Sequence, residues 1–590
     1  TGTKVDNDGK FIDGNRIVGS VIAGKNGIVN INSNLPEAVS TLSRTGEVNK
    51  GSIAVYGNVM AGNNGELNLD LGEGGYLSGR VDDYQDAAVN GKHETFFNPE
   101  FSKDITDSGT VNLTMGKDST WDVTGQSWVT KLEGSGTVDM RNGGANDTSH
   151  AVHIGTLTGD HTFVMDLDSD NHNVSDMLFI KDEADSQGKQ TIYLNSVAGL
   201  DTMADGEKLR FATVNAETDK LSFVGVYNGE NGYNNNKNRV MLMDNGVMNT
   251  DFVIEYEKYD ATDAKNENED YNGGTDFNAV KPGDGYVDTN YANGTNWYLT
   301  RNKAGDETSD AGKTIINMSK VNYSNAIYMD RLNKRLGEAR YINPEEEQGM
   351  WVRIRHDRIG KDDAFRSQNT MYEMGYDEKQ DCDNGERRVG FAIDYMDGKA
   401  EYSGIAGDGD VKRYGLWLYD TWLGDKGHYT DYVLKWGHLE NDFDIYTMTR
   451  NEKVSGDYSN NVFSASAEYG KKNDMGSGWY FEPQAQLQFA RVTGADYVTS
   501  QDTKVSLDGI NSLIGRAGFR LGRDLNKNST VYIKADLLHE FLGDQDITAT
   551  DATGILREEY ENEGTWYDVG FGFATKMSKN SYAFMDFEKS

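Results

Sequence analysis

The last third of the chain, roughly Gly349 to Ser590, constrains the fold most, because apolar and polar residues alternate there in short segments separated by Gly, Asp and Asn clusters. Val389, Phe391, Ile393 and Tyr395 fall on one face of such a segment, with Gly390, Ala392 and Asp394 on the other. Phe481, Pro483, Ala485, Leu487 and Phe489 alternate with Glu482, Gln484, Gln486 and Gln488. A transmembrane barrel puts the apolar face against lipid and the polar, often small residues around a crowded lumen.

Eleven segments of this kind are predicted: Met350–Arg355, Asn369–Asp377, Val389–Asp397, Val411–Trp422, His428–Leu439, Phe463–Gly470, Phe481–Phe489, Ser512–Gly522, Thr530–Phe541, Thr565–Thr575 and Ser581–Glu588. A closed bacterial barrel needs an even number, so one strand is missing from this set. Trp351, Trp417, Trp422, Tyr429, Tyr432, Trp436, Trp479, Tyr480, Trp566 and Tyr567 lie near segment ends, where interfacial aromatic girdles are expected. Aromatic core residues of a soluble β-domain are the alternative.

Toward the N-terminus the pattern becomes repetitive. Ile17–Asn32 returns as Val55–Asp70, and the core Gly-x-(Val/Leu)-(Asn/Asp)-(Ile/Leu/Met) recurs at Gly27–Ile31, Gly65–Leu69, Gly109–Leu113 and Gly136–Met140. Self-similarity on this scale predicts a stack of β-coils, apolar residues inside and Gly where the backbone turns sharply, with a β-sandwich as the alternative. Residues 150–299 continue the β reading, and the polar stretch Glu257–Asp288 reads as a solvated loop.

From Ala311 to Arg340 the period becomes helical, through Met318, Asn325, Met329, Leu332 and Leu336, with no Gly or Pro between Lys313 and Leu336. A helix this polar has little reason to lie on an apolar core and suits a polar lumen. Asn325, Asp330, Arg331, Asn333, Lys334 and Arg335 are its candidate contact residues, and Arg353, Asp394, Glu482 and Arg516 the candidates facing it from the barrel wall.

The 590 residues exceed one compact core, and the 67 Gly and 5 Pro suit many-turned β-structure. A net charge of -37 repels phosphate backbones, which makes nucleic acid a poor partner. Cys382 is the single cysteine, so no internal disulfide forms. No apolar run is long enough for a transmembrane helix, and Thr1–Lys4 is not a signal peptide, so the sequence reads as a piece of a longer exported protein.

No nucleophile elbow, zinc-protease helix or Walker loop is present. His150 and His153 are expected to be ordinary surface histidines. Asp166, Asp168 and Asp170 imitate the start of a calcium loop, but Asn171 and Met177 stand where Gly and Glu are required. No catalytic residue, metal or cofactor is assigned, and the chain is expected not to be an enzyme.

Rod, polar helix and barrel in that order resemble the type Va autotransporters of Gram-negative bacteria. The resemblance rests on Leu332–Arg340, Gly349–Arg353, Glu482–Leu487 and Gly515–Gly518, with Thr120–Trp121 and Asp176–Ile180 similar to passenger motifs. It implies an all-β fold truncated at both ends. A right-handed, pertactin-like parallel β-helix (1–150) is followed by an autochaperone-like passenger end (151–305). A linker helix in the lumen (306–344) then leads to an antiparallel barrel (345–590) of twelve strands, the last one absent.

It also implies outer-membrane lipid, the barrel assembly machinery and periplasmic chaperones as partners, and a passenger displayed on the cell surface toward an unknown ligand, as an adhesin. A surface-displayed, polysaccharide-acting hydrolase is the alternative. Family members that cleave themselves inside the barrel carry Asn-Asn where this sequence has Asp330-Arg331, so no self-cleavage is expected.

Overall fold

The computed structural model describes residues 4–6, 10–33, 51–84, 105–141, 150–167, 175–180, 186–194, 200–214, 220–225, 238–258, 295–338, 348–361, 364–448, 451–579 and 581–590. Asp168, Asp170, Asn171, Ala339, Arg340 and most of the Glu257–Asp288 stretch lie outside them. Two compact units are present: Thr1–Met243 with Asn249–Glu307, and Asp244–Met248 with Thr308–Ser590.

The first unit is a parallel β-solenoid with three columns of strands. One column runs through Ile28–Ile31, Glu66–Asp70 and the first half of Thr110–Asp122, stacked so that Val29, Leu67 and Val111 are in register, as are Ile31, Leu69 and Leu113. The first three copies of the repeat therefore sit directly above one another. The fourth does not: Thr137 and Val138 pair with Thr120 and Trp121, in a different column. The motif encodes an inward–outward alternation between coils, and any column of the solenoid can use it.

The repeat's glycines are set by crowding between coils. A Cβ on Gly65 would lie 2.5 Å from the Ala23 carbonyl oxygen, and one on Gly109 would lie 2.4 Å from the Ala61 carbonyl carbon. Outside, the repeat's asparagines form a ladder in which Asn112 Nδ2 donates to Asn68 Oδ1 (2.8 Å) and Asn68 Nδ2 to Asn30 Oδ1 (2.9 Å). Inside is a continuous apolar core including Leu67, Leu113, Trp121, Phe163 and Phe211. Trp121 is fully buried and satisfies its indole N–H on the Gly79 carbonyl at 3.0 Å.

His150 and His153 are buried, not surface residues. The His153 ring is sandwiched between Trp128 and Phe179 on neighbouring coils, at 4.9 and 4.6 Å. His150 Nδ1 lies 2.8 Å from the Met140 carbonyl. Close by, the fully buried Asp176 carboxylate accepts the backbone N–H groups of His150 (2.8 Å) and Asp166 (2.7 Å). Asp176, the one polar residue of Asp176–Ile180, thus braces neighbouring segments of the solenoid.

The parallel order ends at Lys208–Val214, which pairs antiparallel with Thr295–Arg301, itself antiparallel to Met248–Lys258. Phe211, Phe223 and Trp297 close this end edge to face, at 5.3 and 5.1 Å.

The second unit is one antiparallel sheet of eleven long strands in chain order: β1 (Gln348–Lys361), β2 (Phe365–Cys382), β3 (Gly385–Tyr402), β4 (Ala406–Gly424), β5 (His428–Tyr446), β6 (Lys453–Lys471), β7 (Trp479–Val492), β8 (Ile510–Asn526), β9 (Ser529–Glu540), β10 (Gly564–Ser578) and β11 (Ser581–Lys589). The short strand Asn473–Gly476 pairs with β7. Each predicted segment lies within one of these strands or overruns it by one residue. Val389, Phe391, Ile393 and Tyr395 are exposed on the outside, as are Phe481, Leu487 and Phe489, whereas Glu482, Gln484, Gln486 and Gln488 are buried inside. This inverted distribution is that of a barrel whose solvent is lipid.

Strand parity corrects part of the aromatic girdle. Tyr432, Trp436, Trp479 and Tyr567 face outward, but Trp351, Trp417, Tyr429 and Tyr480 occupy inward positions and are buried. Two of those inward rings pack on cations: Lys435 Nζ sits 4.0 Å from the Trp417 ring and Lys472 Nζ 4.1 Å from that of Tyr480.

A charged plug in the barrel lumen

The chain enters the lumen as α1 (Asp310–Ala326). Ser309 caps it, accepting from Gly312 N at 3.1 Å and donating to the Gly246 carbonyl at 2.5 Å. Around α1 the lumen is apolar, which corrects the expectation of a polar helix in a polar pore. Ile315, Met318 and Val321 join Val411, Leu439, Phe443 and Val492 of the wall in one buried cluster. Polar contacts there include Ser319 Oγ to Gln545 (2.6 Å), Tyr323 OH to Glu540 (2.9 Å), and Arg413 to the Asn325 carbonyl (3.3 Å).

The continuous helix predicted to Arg340 is interrupted. From Ile327 to Arg331 the chain is non-helical, and a short α2 (Leu332–Leu336) ends at Gly337, which has φ +57°. Wall side chains take the backbone groups that an unbroken helix would have used. Gln486 Nε2 donates to the Asp330 carbonyl (2.7 Å), Leu332 N–H donates to Glu468 (2.8 Å), and Arg353 donates to the Lys334 carbonyl. A Cβ on Gly337 would meet the Phe584 ring at 2.7 Å, so both its left-handed backbone and its packing call for glycine.

Residues 330–338 carry three cations flanked by two carboxylates into a wall of complementary charge. Asp330 pairs with Arg353 (2.7 Å) and with Lys435. Arg331 reaches three carboxylates, Asp536 (2.6 Å), Asp568 (2.8 Å) and Glu588 (3.1 Å). Lys334 bonds Glu588 at 2.5 Å, and Arg335 grips Asp431 through two nitrogens at 2.6 and 3.0 Å. Glu338 pairs with Arg520 at 3.1 Å, and Arg520 also holds Glu482.

The candidate residues fare unequally. Asp330, Arg331, Lys334, Arg335 and Arg353 belong to this network. Asn333 touches Glu482 at 3.3 Å, and Arg516 ties Glu468 (2.9 Å) to Asp536 (2.6 Å) beneath the plug. Asn325 turns back on its own helix, donating to the Val321 carbonyl. Asp394 accepts from Trp417 and stands 3.5 Å from Arg413, so it supports the wall. Sequence reading missed Glu373, Asp431, Lys435, Glu468, Arg520, Asp536, Asp568 and Glu588. Each is a polar residue at an inward position of its strand, the signal by which it is found.

Above α1, residues 495–498, 504–507, 545–551 and 554–560 form a small sheet. Asp551 and Thr553 of this sheet receive the N–H groups of Val247 (2.8 Å) and Met248 (3.0 Å).

Residues 348–588 match the family model described as Autotransporter beta-domain. The pertactin autotransporter of Bordetella bronchiseptica is 29% identical over 298 residues, covering 49% of this chain and 32% of that protein. Serine protease EspP of Escherichia coli is 30% identical over 268 residues, covering 44% and 20%. The crystal structure of the beta domain of the Bordetella autotransporter BrkA is similar at 25% identity with a TM-score of 0.31, over 41% of this chain and 97% of that one.

The chain spans under a third of the length of these curated relatives. The expectation that the chain is not an enzyme is overturned by relatives named serine proteases, EspP and the pet autotransporter among them, at 30% and 28% identity. A barrel, plug and solenoid of this kind do not mark a non-enzymatic protein. The eleven-strand sheet, its lipid-facing exterior and the family match converge on the same residues, and residues 348–588 are an autotransporter beta-domain, an outer-membrane barrel.

Proposed function

We propose that residues 345–590 anchor and export the chain's own solenoid, and that the displayed solenoid acts as an adhesin. The observation that carries this reading is chain continuity through the lumen: α1 fills the pore by apolar packing, and residues 330–338 are fixed there by buried ion pairs. Such a plug is what remains when a polypeptide has passed outward and stopped. The long stacked faces of the solenoid, with their outer asparagine ladder and acidic surface, suit extended contact with another surface.

Within this reading, residues 151–305 start passenger folding, because their antiparallel, aromatic-sealed end gives the first coil something to stack on. Each further coil buries apolar surface and opposes backsliding. Barrel assembly machinery and periplasmic chaperones deliver the full-length protein to the membrane. Asp330 is engaged by two cations, and the passenger stays attached. A purified full-length protein with a new N-terminus at Arg331 would contradict that.

The test of export places an epitope near Lys265 and asks whether intact cells expose it to antibody and external protease while a fragment beginning near α1 is protected. An inaccessible epitope sinks the proposal. The names of the serine-protease relatives favour a second reading, a passenger with hydrolytic activity. Labelling of displayed passenger by a fluorophosphonate probe would support it over adhesion.

A further inference from the structure

We propose that the outer face of β7–β11 holds a binding site for one anionic phospholipid of the periplasmic leaflet, with an acyl chain in a groove over β9 and the phosphate on Arg523. The groove has a volume of about 630 Å³ and an almost wholly apolar lining. That size is within the range of built small-molecule sites.

Register explains the groove. Trp479, Arg523, Val531, Phe573 and Met585 lie directly across from one another on five successive strands. The next outward row runs Leu521, Ile533, Phe571 and Phe587. The centre of both rows is β-branched and short, Val531 and Ile533, while the flanks rise as rings and long side chains. The result is a trough running along β9, its floor the backbone of Gly522, Tyr532 and Gly572.

Charge identifies the end at which a headgroup sits. Arg523 is exposed on the outer face, its guanidinium 5.6 Å from the centre of the Trp479 ring, and no carboxylate pairs with it among the described residues. An arginine turned toward lipid is costly unless it reaches the interface or an anion. The nearby turns, Lys527–Asn528 and the one linking β10 to β11, are short, whereas the β7–β8 and β9–β10 connections at the opposite end carry the additional small sheet. Short turns mark the periplasmic end, whose leaflet is phospholipid. A Trp beside an unpaired cation is the usual furniture of that interface. A lipopolysaccharide phosphate would call for the cation at the long-loop end.

The experiment uses the chain purified in mild detergent, delipidated, and titrated with phosphatidylglycerol, phosphatidylethanolamine or lipopolysaccharide under native mass spectrometry. One phosphatidylglycerol per barrel is expected, retained at least five-fold better than phosphatidylethanolamine. Arg523→Ala should lower retention at least five-fold, Arg523→Lys should keep most of it, and Ile533→Trp should abolish it by filling the trough with the cation intact. Heat-modifiable gel mobility reports barrel folding separately, and Val531→Phe replaces Ile533→Trp if the latter fails that check. Equal retention by parent, Arg523→Ala and the filled variant, or preference for lipopolysaccharide or for phosphatidylethanolamine, overturns the site.

Discussion

The solenoid core and the lower barrel lumen are both densely filled, with opposite chemistry. In the solenoid, Leu67, Leu113, Trp121 and their neighbours form a continuous apolar interior. Around residues 330–338 the interior is ionic, and Arg331, Arg335, Arg353 and Arg520 are all buried with their carboxylates. Apolar packing tolerates many alternative arrangements of similar volume, whereas buried charges are costly in any arrangement but the paired one. A repetitive rod can use the first; a segment that must stop at one position in a pore gains from the second.

This contrast breaks first at Arg331. Arg331→Ala strands the buried Asp568 and removes the cation that Asp536 and Glu588 share with it, and should destabilise the plugged barrel by about 3–5 kcal/mol, read as a lowered urea midpoint for loss of the heat-modifiable form. Replacing both Arg335 and Asp431 by Met and Leu should cost less than either single change, because no charge is then stranded. Equal or larger loss in the double variant would mean that the lumen is wet and the contrast false.

On the apolar side, Trp121→Ala should cost a comparable amount, about 3–5 kcal/mol, in the urea midpoint of the isolated solenoid signal. Gly65→Val presses a side chain into the Ala23 backbone and should cost about 1–3 kcal/mol in the same midpoint.

Smaller still is the pH dependence of the solenoid. Burial pushes His150 and His161 below the ordinary histidine range. The unfolded chain therefore takes up those protons first, so their contribution to stability is complete above about pH 6.5 and is lost as pH falls below it. Asp176, whose carboxyl burial raises well above the usual range, acts in the opposite sense at lower pH, costing stability as pH rises from about 4. A urea midpoint that falls between pH 7.5 and 5.5, and falls less in a His150→Gln, His161→Gln variant, is the expected outcome. Last, Lys208→Ala removes an exposed pair with Glu257 and should stay within about 0.5 kcal/mol.

Much of this was legible in the chain. Period-two alternation located all eleven barrel strands, and the Gly-x-Val/Leu repeat located the solenoid, because both follow from which side of a strand faces water, lipid or core. Parity alone also sorts Glu482 and Gln486 from Phe481 and Leu487, and applied to every strand it reaches Lys435 and Asp568 too. Helical periodicity misled at Ile327–Arg331, where Gln486, Glu468 and Arg353 take the backbone bonds of a helix that the local sequence favours.

The sequence by itself determined the two architectures, the lipid-facing surface and the segment that fills the pore, since these depend on residue order along single strands and helices. Only tertiary structure decided which acid meets which base, that His150, His153 and Asp176 are interior, and that the upper lumen is apolar where the lower is charged. Those outcomes depend on register between strands far apart in sequence, and burial free energy is set by what stands opposite a residue.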